Sequence, residues 1–414
     1  MRRHLAILTS LGLLLPPGLQ AETDRPSIDF GNFLQIGLEA KVQADFRNFS
    51  PALPGLDENQ LEKARLGLKG RFLRHFYYEI ERDFRSTLRA DRPTFPWTDV
   101  NVEARGYRPF DVKIGKFKLP LGMEQNTSTA KLDFVYRARM SEFLTPGRDK
   151  GVLITGRSLE ALRLKYEAGV FLNDGENAHE KNSTRKSGGH AFSARFESQP
   201  IQTLKSPLRR LQVGAAVVSS NVHESPTFET NSIRGETVAG ETFFHRVFVQ
   251  GRRLRLGTEM SWREGPFSAQ SEYIRVSEQR RSAGIELQDL PDLISQGWYL
   301  TGTWLLTGEK KSDAVKPKKD FLRGGIGAIE LATRYDAIRF GSAGHPGVSS
   351  RSPRAPNILE NSDRVLTLGV NWYLNRFWKI QVNRVRENLE DPANPPIAGH
   401  ATHWTTVMRL QFHM

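Results

Sequence analysis

The sequence has no cysteine and no long hydrophobic run. All 414 residues lack Cys, which excludes disulfides, thiolate metal sites and cysteine nucleophiles. After the first 21 residues, no segment approaches the roughly 18 to 20 apolar residues that a transmembrane helix needs. The mean hydropathy of −0.48 is that of a polar chain. Strands that alternate apolar and polar residues average out on such a scale, so a membrane barrel remains compatible with this value.

Recognisable catalytic motifs are also missing. The chain contains no G-x-S-x-G elbow, Walker phosphate loop or His-Glu-x-x-His motif. His400, His403 and His413 are the nearest approach to a metal set, but neighbouring acids that would complete a shell are absent. We therefore expect no enzyme, no metal and no other cofactor. A barrel hydrolase with Ser, His and Asn in its wall stays open, because spacing along a barrel hides such triads.

The N-terminus predicts export. A basic start, Met1-Arg2-Arg3-His4, precedes an almost entirely apolar stretch at residues 5–15, and small residues lead to Ala21. This pattern is typical of a secretory signal peptide, so we expect a signal peptide at residues 1–21 and one mature domain at residues 22–414. A buried N-terminal helix is the alternative. The net charge of +13 would suit nucleic acid or an anionic surface, but export makes nucleic acid an improbable partner.

Two-residue alternation is the main pattern of the chain. Residues 34–46 read LQIGLEAKVQADF, with Leu, Ile, Val, Ala and Phe on one face and mostly polar residues, including Lys41, on the other. A strand of this length extends about 43 Å at about 3.3 Å per residue, which suits a tilted strand that crosses a bilayer. The alternation recurs at residues 62–72, 253–263, 366–374 and 404–414.

The connections between these segments differ in length. Short turns are predicted at residues 106–109, 264–267 and 374–377, and long polar loops at 173–190, 221–240, 308–320, 341–363 and 387–403. Tryptophans stand at strand ends, as an aromatic girdle at the membrane surfaces requires: Trp262, Trp298, Trp304, Trp372, Trp378 and Trp404. The pattern favours a transmembrane barrel with short periplasmic turns and long extracellular loops. A soluble sandwich is the alternative, since alternation alone does not say which face meets lipid.

Several segments resemble one known family. They are ARLGLKGRF at residues 64–72, KIGKFKLPLGME at 113–124, TPGRDKGV at 145–152, AGVFLNDGE at 168–176, GPFSAQSEY at 265–273, GWYLTGTWLLTGE at 297–309, GAIELATRYD at 327–336, LGVNWYLN at 368–375 and MRLQF at 408–412. In this order they resemble the phosphate-selective porin O/P family of the bacterial outer membrane. The resemblance implies an all-β, 16-stranded antiparallel barrel, usually a homotrimer, with a water-filled pore narrowed by an inward-folded loop. It also implies passage of small anions such as phosphate.

Basic residues on the polar faces are the candidate pore lining. Selectivity for anions requires several moderate cationic sites at a narrow point of the pore. In the alternating segments at residues 62–72 and 253–263, the candidates are Lys63, Arg65, Lys69 and Arg71, followed by Arg253 and Arg255. The competing interpretation of the first four is that they form lumen salt bridges with Glu79, Glu81 and Asp83 of the next strand.

The segment between residues 117 and 151 is the candidate constriction loop. It adds Lys118, Lys131, Arg137, Arg139 and Arg148 to the predicted pore lining, and Lys113 precedes it. Its basic residues exceed its acidic ones by two, which favours anions. For Arg148 and Asp149 the structural alternative is that the two side chains pair and hold the loop to the wall.

One departure from the family weakens the case for phosphate. Phosphate-selective members carry an Arg pair just before residues 64–72, where this chain has Glu62 and Lys63, and Arg234 stands nearly alone in residues 221–240. We therefore predict a channel in contact with outer-membrane lipid that passes small anions, such as phosphate or chloride, by passive diffusion. The alternative is a plugged or adhesive barrel that acts through its surface loops.

Overall fold

The structure of the protein is a computed structural model. It describes residues 26–51, 59–85, 97–106, 109–158, 163–178, 189–201, 206–222, 230–345, 348–391 and 399–414. The predicted signal peptide at residues 1–21 lies outside these ranges, as do parts of the predicted connections at 106–109, 173–190, 221–240, 341–363 and 387–403.

Strands dominate the described residues. The strands are β1 Ser27–Phe30, β2 Leu34–Ser50, β3 Asn59–Phe72, β4 Phe76–Asp83, β5 Trp97–Ala104, β6 Phe110–Lys118, β7 Arg148–Ser158, β8 Leu164–Phe171, β9 Ala191–Ser198, β10 Gln212–Val222, β11 Gly235–Glu236, β12 Thr242–Phe244, β13 Gly251–Glu264, β14 Phe267–Arg280, β15 Leu290–Leu305, β16 Ala328–Ser342, β17 Asn361–Tyr373, β18 Trp378–Leu389 and β19 Thr402–His413. Two short helices, α1 Met123–Asn126 and α2 Arg139–Phe143, lie between β6 and β7. Within the described ranges, no helix is long and apolar enough to cross a membrane.

Sixteen of these strands close into one antiparallel barrel. Strands β2 to β10 pair in sequence order, β10 pairs with β13, and β13 to β19 continue in order. The last strand then pairs with the first, from Trp404 opposite Ser50 to His413 opposite Lys41. The short β1 pairs with β2, and β11 and β12 form a separate hairpin. The predicted all-β class and the predicted count of about 16 strands are confirmed.

The two rims of the barrel carry different connections. The predicted turns fall between β5 and β6, between β13 and β14, and between β17 and β18, on what we call the short-turn rim. The connections β8–β9, β10–β13, β16–β17 and β18–β19 lie on the opposite, long-loop rim, as predicted. The expectation for residues 308–320 is wrong: they join β15 to β16 and so lie on the short-turn rim. The reason is topological, since consecutive antiparallel strands return to the same rim at every second connection.

The barrel exposes its apolar face. On β3, Leu66 and Leu68 are 51% and 42% exposed, whereas Arg65 and Lys69 face inward to acids of β4. On β17, exposed leucines alternate with the buried Thr367 and Asn371. A soluble sandwich would bury the apolar face and expose the polar one. The observed orientation is that of a barrel whose exterior meets lipid.

Two inward-folded segments fill part of the barrel interior. Residues 119–147 and 230–250 pack against one another and against the inner wall, and their shared core includes Met140, Leu144, Phe244, Tyr299 and Phe340. All five of these side chains are buried. The stacked rings of Phe244 and Phe340, with centroids 4.2 Å apart, join the second segment to β16. The remaining open space lies towards β2–β9.

Candidate functional site: a cation-rich lumen

The inward loop at residues 119–147 is held to the far wall through its backbone. The Val135 N–H donates to Asn383 Oδ1 at 2.8 Å, and Lys379 Nζ donates to the Leu132 carbonyl at 2.9 Å. Gln411 Nε2 donates to the Ala130 carbonyl, also at 2.9 Å. Buried backbone groups need such partners because water cannot reach them. The loop is therefore fixed against β17–β19 and leaves the β2–β9 side of the lumen open.

The start of the same loop is fixed by two wall residues. Glu272 on β14 accepts hydrogen bonds from the backbone N–H groups of Met123 and Glu124, both at 2.7 Å. The Glu124 carboxylate in turn accepts from Arg334 Nη1 on β16 at 3.0 Å and from the Ala138 N–H at 3.0 Å. These contacts set which loop side chains face the open lumen.

An open, water-accessible cavity of about 500 Å³ occupies that side of the lumen. Its lining combines the walls of β2–β9 with the near face of the inward loop. Among the described residues, eleven basic side chains line it: Lys41, Lys63, Arg65, Lys69, Lys113, Lys118, Lys131, Arg137, Arg148, Lys165 and Arg195. The acidic lining residues number seven: Glu39, Glu79, Glu81, Asp99, Glu142, Glu167 and Glu176. The fixed charge around the cavity is therefore positive.

Eight of the predicted pore-lining residues lie on this cavity. They are Lys63, Arg65, Lys69, Lys113, Lys118, Lys131, Arg137 and Arg148. The structure thus brings together residues from four elements that the sequence could only treat separately. That these side chains bind or select anions stays a prediction. Arg71 pairs in register with Gln35 and Tyr77 near the short-turn rim, and it does not line the cavity.

Arg253 and Arg255 do not belong to the pore lining, contrary to the prediction. Both are fully buried. Arg253 pairs with Asp174 and with Glu278, the latter at 2.6 Å, and Arg255 Nε donates to the Leu144 carbonyl at 3.1 Å. Arg253 Nη2 also donates to the Asn231 carbonyl at 2.9 Å, so the two arginines fasten both inward segments to β13. Alternation correctly gave their inward orientation, but it carries no information about which inward positions are covered.

Arg139 is likewise removed from the predicted pore lining. Its backbone N–H donates to Asp336 Oδ1 at 2.9 Å, and its guanidinium donates to the carbonyls of Arg137 at 3.0 Å and Thr237 at 3.4 Å. The side chain is buried at the junction of the two inward segments. Its role is to join these segments.

Ion pairs hold part of the wall cations. Arg65 pairs with Glu81 and Asp83, both at 3.0 Å, while Lys69 bridges Glu39 at 3.0 Å and Glu79 at 2.8 Å. The lumen salt bridges left open by the sequence are thus present for these two cations, which still line the cavity.

The structural alternative, a pair between Arg148 and Asp149, is not what the structure shows. Arg148 pairs instead with Asp99 at 2.6 Å, and Asp149 accepts from the Asn173 N–H at 2.7 Å. The two adjacent residues point to opposite faces of β7, so they cannot pair with each other.

Two loop-side cations are held mainly by neutral carbonyls. Lys118 Nζ donates to the carbonyls of Gln125 at 2.5 Å and Thr127 at 3.2 Å, and within the described ranges it forms no ion pair. Arg137 Nη2 donates to the Thr127 carbonyl at 3.0 Å, and among the described residues its one ion-pair partner, Glu142, is 4.0 Å away. Carbonyl oxygens fix a cation in place without cancelling its charge.

The electrostatic surroundings of Arg137 reflect this arrangement. Burial lowers the pKa of the Arg137 guanidinium, Glu142 and Glu124 oppose that change, and the nearby cations Arg148 and Arg65 add to it. Arginine nevertheless stays protonated in proteins. Arg137 on the loop therefore carries its charge within electrostatic reach of Arg65 on the opposing wall.

Three basic residues of the cavity were not predicted as pore lining. Lys41 on β2, Lys165 on β8 and Arg195 on β9 all face the open lumen. The alternation of residues 34–46 put Lys41 on the polar face, which was a usable signal. Lys165 and Arg195 can be identified as cavity-lining residues only from the closed barrel, because it shows that, within the described ranges, no inward segment covers these two side chains. In the part of the chain that the structure describes, no group of three His, Cys, Asp or Glu residues could hold a metal ion.

Comparison with known sequences identifies a family and a relative. Residues 36–414 match the family described as phosphate-selective porin O and P. Porin O of Pseudomonas aeruginosa is 22% identical over 382 residues, which cover 86% of this chain and 84% of that protein.

Comparison with solved structures gives outer-membrane barrels. The outer membrane channel DcaP of Acinetobacter baumannii matches with a TM-score of 0.56 and 8% identity, over 92% of this chain and 98% of that one. OmpT of Vibrio cholerae in its trimer form matches at 0.55 and 8%, over 92% and 100%. OmpF of Salmonella typhi, in complex with daunomycin, matches at 0.54 and 11%, over 94% and 100%. At these identities the likeness concerns the fold.

Proposed function

This chain belongs to the phosphate-selective porin O and P family and is a channel of the bacterial outer membrane, and we propose that it passes small anions in preference to cations. The permeant anions that we propose are chloride and phosphate. The observation that carries the proposal is the open cavity, whose lining among the described residues contains eleven basic and seven acidic side chains.

The preference for anions would follow from the field inside the lumen. The apolar core on one side of the barrel and the lipid outside have low dielectric constants, so the field of fixed charges is focused into the water of the open half. Arg137 on the loop and Lys118 at the end of β6 line the same cavity as Lys63 and Arg65 of β3. Several moderate cationic sites allow an anion to enter and to leave again. Arginine offers a planar fork to phosphate oxygens, and lysine offers a point charge.

Strong selectivity for phosphate over chloride is not part of the proposal. Glu62 stands where an Arg would favour phosphate, and it lies 3.7 Å from Lys63 and 3.4 Å from Arg85. Arg234, the lone arginine of residues 221–240, pairs with Glu236 at 2.7 Å. An acid beside each of these cations reduces the charge available to a doubly charged anion. General anion preference fits these contacts better.

We also propose that the channel acts by passive diffusion without catalysis, as a homotrimer, after removal of residues 1–21. The family is one of porins, and OmpT of Vibrio cholerae, which shares the fold, is described in a trimer form. Mass measurement of the purified protein in detergent, with N-terminal sequencing, tests the assembly and the cleavage. A monomeric mass, or an intact first segment, would contradict these parts and leave the channel untouched.

Reconstitution into planar bilayers tests the anion preference. In a tenfold KCl gradient, the zero-current potential should take the sign that chloride permeation requires. The variant Lys118→Met should shift this potential towards zero, whereas Lys319→Met, at an exposed site on the short-turn rim, should leave it unchanged. A potential of cation sign would refute the charge argument. The absence of any channel steps would instead support the plugged or adhesive barrel.

A further inference from the structure

Three arginines on neighbouring strands point out of the barrel close to the long-loop rim. Arg339, Arg364 and Arg386 are exposed, and each lies three residues from the long-loop end of β16, β17 or β18. Their chain neighbours Phe340 and Val365 are buried on the inner side. The three guanidinium groups therefore belong to the outer wall and not to the pore.

The strand register makes these arginines neighbours. Arg364 stands opposite Ala337, two residues from Arg339, and Arg386 stands opposite Leu366, two residues from Arg364. Such diagonal neighbours have Cβ atoms roughly 7 to 8 Å apart. The three cations therefore form an oblique row that follows the stagger of the strands. Like charges at this spacing repel each other unless an anion lies between them.

The protein supplies little negative charge to this row. The other outward positions of β16, β17 and β18 hold no Asp or Glu. Arg339 pairs with Glu360 at 3.1 Å, but both side chains are about half exposed, and such pairs are weak. Within the described ranges, Arg364 makes no ion pair or side-chain hydrogen bond. The row thus retains positive charge for an external ligand.

Aromatic side chains mark the depth of the row in the membrane. The Arg386 guanidinium lies 5.6 Å from the Trp404 ring, and that of Arg384 lies 4.7 Å from it. Aromatic rings of this kind sit at the level of lipid headgroups. Trp404 lies near the long-loop end of β19, so Arg386 is at the level of the headgroup layer, and Arg364 and Arg339 continue the row beside it.

We propose that Arg339, Arg364 and Arg386 bind the phosphate groups of a lipid headgroup in the leaflet on the long-loop side. Guanidinium groups bind phosphate through two parallel hydrogen bonds, and clusters of basic residues at the membrane surface recognise anionic headgroups. The Trp404 ring contacts the Arg386 guanidinium and so positions it at the depth of the headgroups. The site is separate from the pore, so it does not depend on the anion preference proposed above.

Native mass spectrometry of the detergent-solubilised protein tests the site. The probe is a diphosphorylated glycolipid, compared with the same glycolipid after removal of its phosphates. The wild-type protein should bind the phosphorylated form more tightly, and the triple variant Arg339→Gln, Arg364→Gln, Arg386→Gln should lose affinity on the order of tenfold or more. If the triple variant fails to fold, the single variant Arg364→Gln, which breaks the middle of the row, should show a smaller loss.

A matched control comes from another part of the outer wall, near the same rim. Arg82 on β4 is also exposed and lies over the rings of Phe84 at 5.4 Å and Trp97 at 5.2 Å, but it is no part of the row. Arg82→Gln should bind the lipid as the wild type does. The triple variant should keep the wild-type zero-current potential, which separates this inference from the proposed anion channel.

Three results would overturn the inference. The first is equal lipid affinity of the triple variant and the wild type. The second is displacement of the glycolipid by inorganic phosphate at equal concentration, which would indicate a site for free phosphate. The third is loss of assembly in the triple variant with unchanged lipid binding, which would assign the row to contacts between copies of this chain.

Discussion

Arg409 on the last barrel strand and Asp45 on the first form a two-bonded ion pair across the closure of the barrel. Nε lies 2.6 Å from Oδ1 and Nη2 lies 2.7 Å from Oδ2, with both side chains almost fully buried. The same guanidinium donates from Nη1 to the Val135 carbonyl of the inward loop at 2.9 Å. One side chain therefore connects closure of the barrel to the position of the loop.

We expect Arg409→Met to destabilise the barrel. The change leaves Asp45 as a buried, unpaired carboxylate, which costs about 3 to 5 kcal/mol. Urea unfolding in detergent, followed by tryptophan fluorescence, should show a lower midpoint. The double variant with Asp45→Asn should recover part of the loss, because no charge is then left unpaired. An unchanged midpoint in the single variant would mean that the pair contributes little to closure.

A second connection reaches the inward loop from the short-turn rim. Lys311, in the segment between β15 and β16, contacts both Asp133 of the loop and Glu330 of β16. Burial by itself would lower the pKa of Lys311, but the two carboxylates raise it above its usual value. The lysine is thus held as a charged link between the rim segment and the loop.

Lys311→Met should loosen the inward loop. Without the lysine, two buried carboxylates face each other unpaired, and the repulsion displaces the loop near Asp133. Single-channel recordings should then show more frequent conductance transitions than in the wild type. Lys310→Met, at the exposed neighbouring position, is the control and should behave as the wild type. Identical recordings for all three proteins would show that the loop keeps its place without this link.

Lys69→Gln should reduce anion preference more than Arg71→Gln. Both residues occupy the inward face of β3, but only Lys69 lines the cavity, where it bridges Glu39 and Glu79. Its removal subtracts one positive charge and exposes two acids. The chloride-to-potassium permeability ratio should fall on the order of twofold. An equal effect of the two variants would mean that charge near the rim, and not at the cavity, sets selectivity.

Anion preference should rise as the pH falls. Burial raises the pKa of Glu176, which lines the cavity between β8 and β9, although Lys116 and Arg148 oppose the shift and Asp99 adds to it. An acid with a raised pKa takes up its proton at a higher pH than an ordinary glutamate. On acidification from neutral pH, the cavity therefore loses a negative charge early.

Zero-current potentials in KCl gradients at a series of pH values measure this effect. Glu176→Gln should raise the anion preference at neutral pH. Between neutral pH and the usual pH range of carboxyl titration, the anion preference of the variant should rise less on acidification than that of the wild type. Glu286→Gln, at an exposed site between β14 and β15 outside the cavity, is the control. A variant curve that follows the wild type throughout would assign the pH response to other acids of the wall.

The sequence by itself determined the barrel and the orientation of its side chains. Alternation at period two fixes that Leu66 and Arg65 lie on opposite faces of one strand, because successive side chains of a strand point to opposite sides. The lengths of the strands, the lengths of the turns and the order of the family segments then indicated a 16-stranded membrane barrel, and the structure agrees.

Only the tertiary structure decided which inward cations face water. Arg65 and Arg253 follow the same alternating pattern, yet Arg65 lines the open cavity while Arg253 is covered by inward segments. The covering depends on contacts between residues far apart in the chain, such as Val135 with Asn383, 248 positions away. A local pattern contains no information about such contacts, because periodicity reports the face of a strand and not what packs on it.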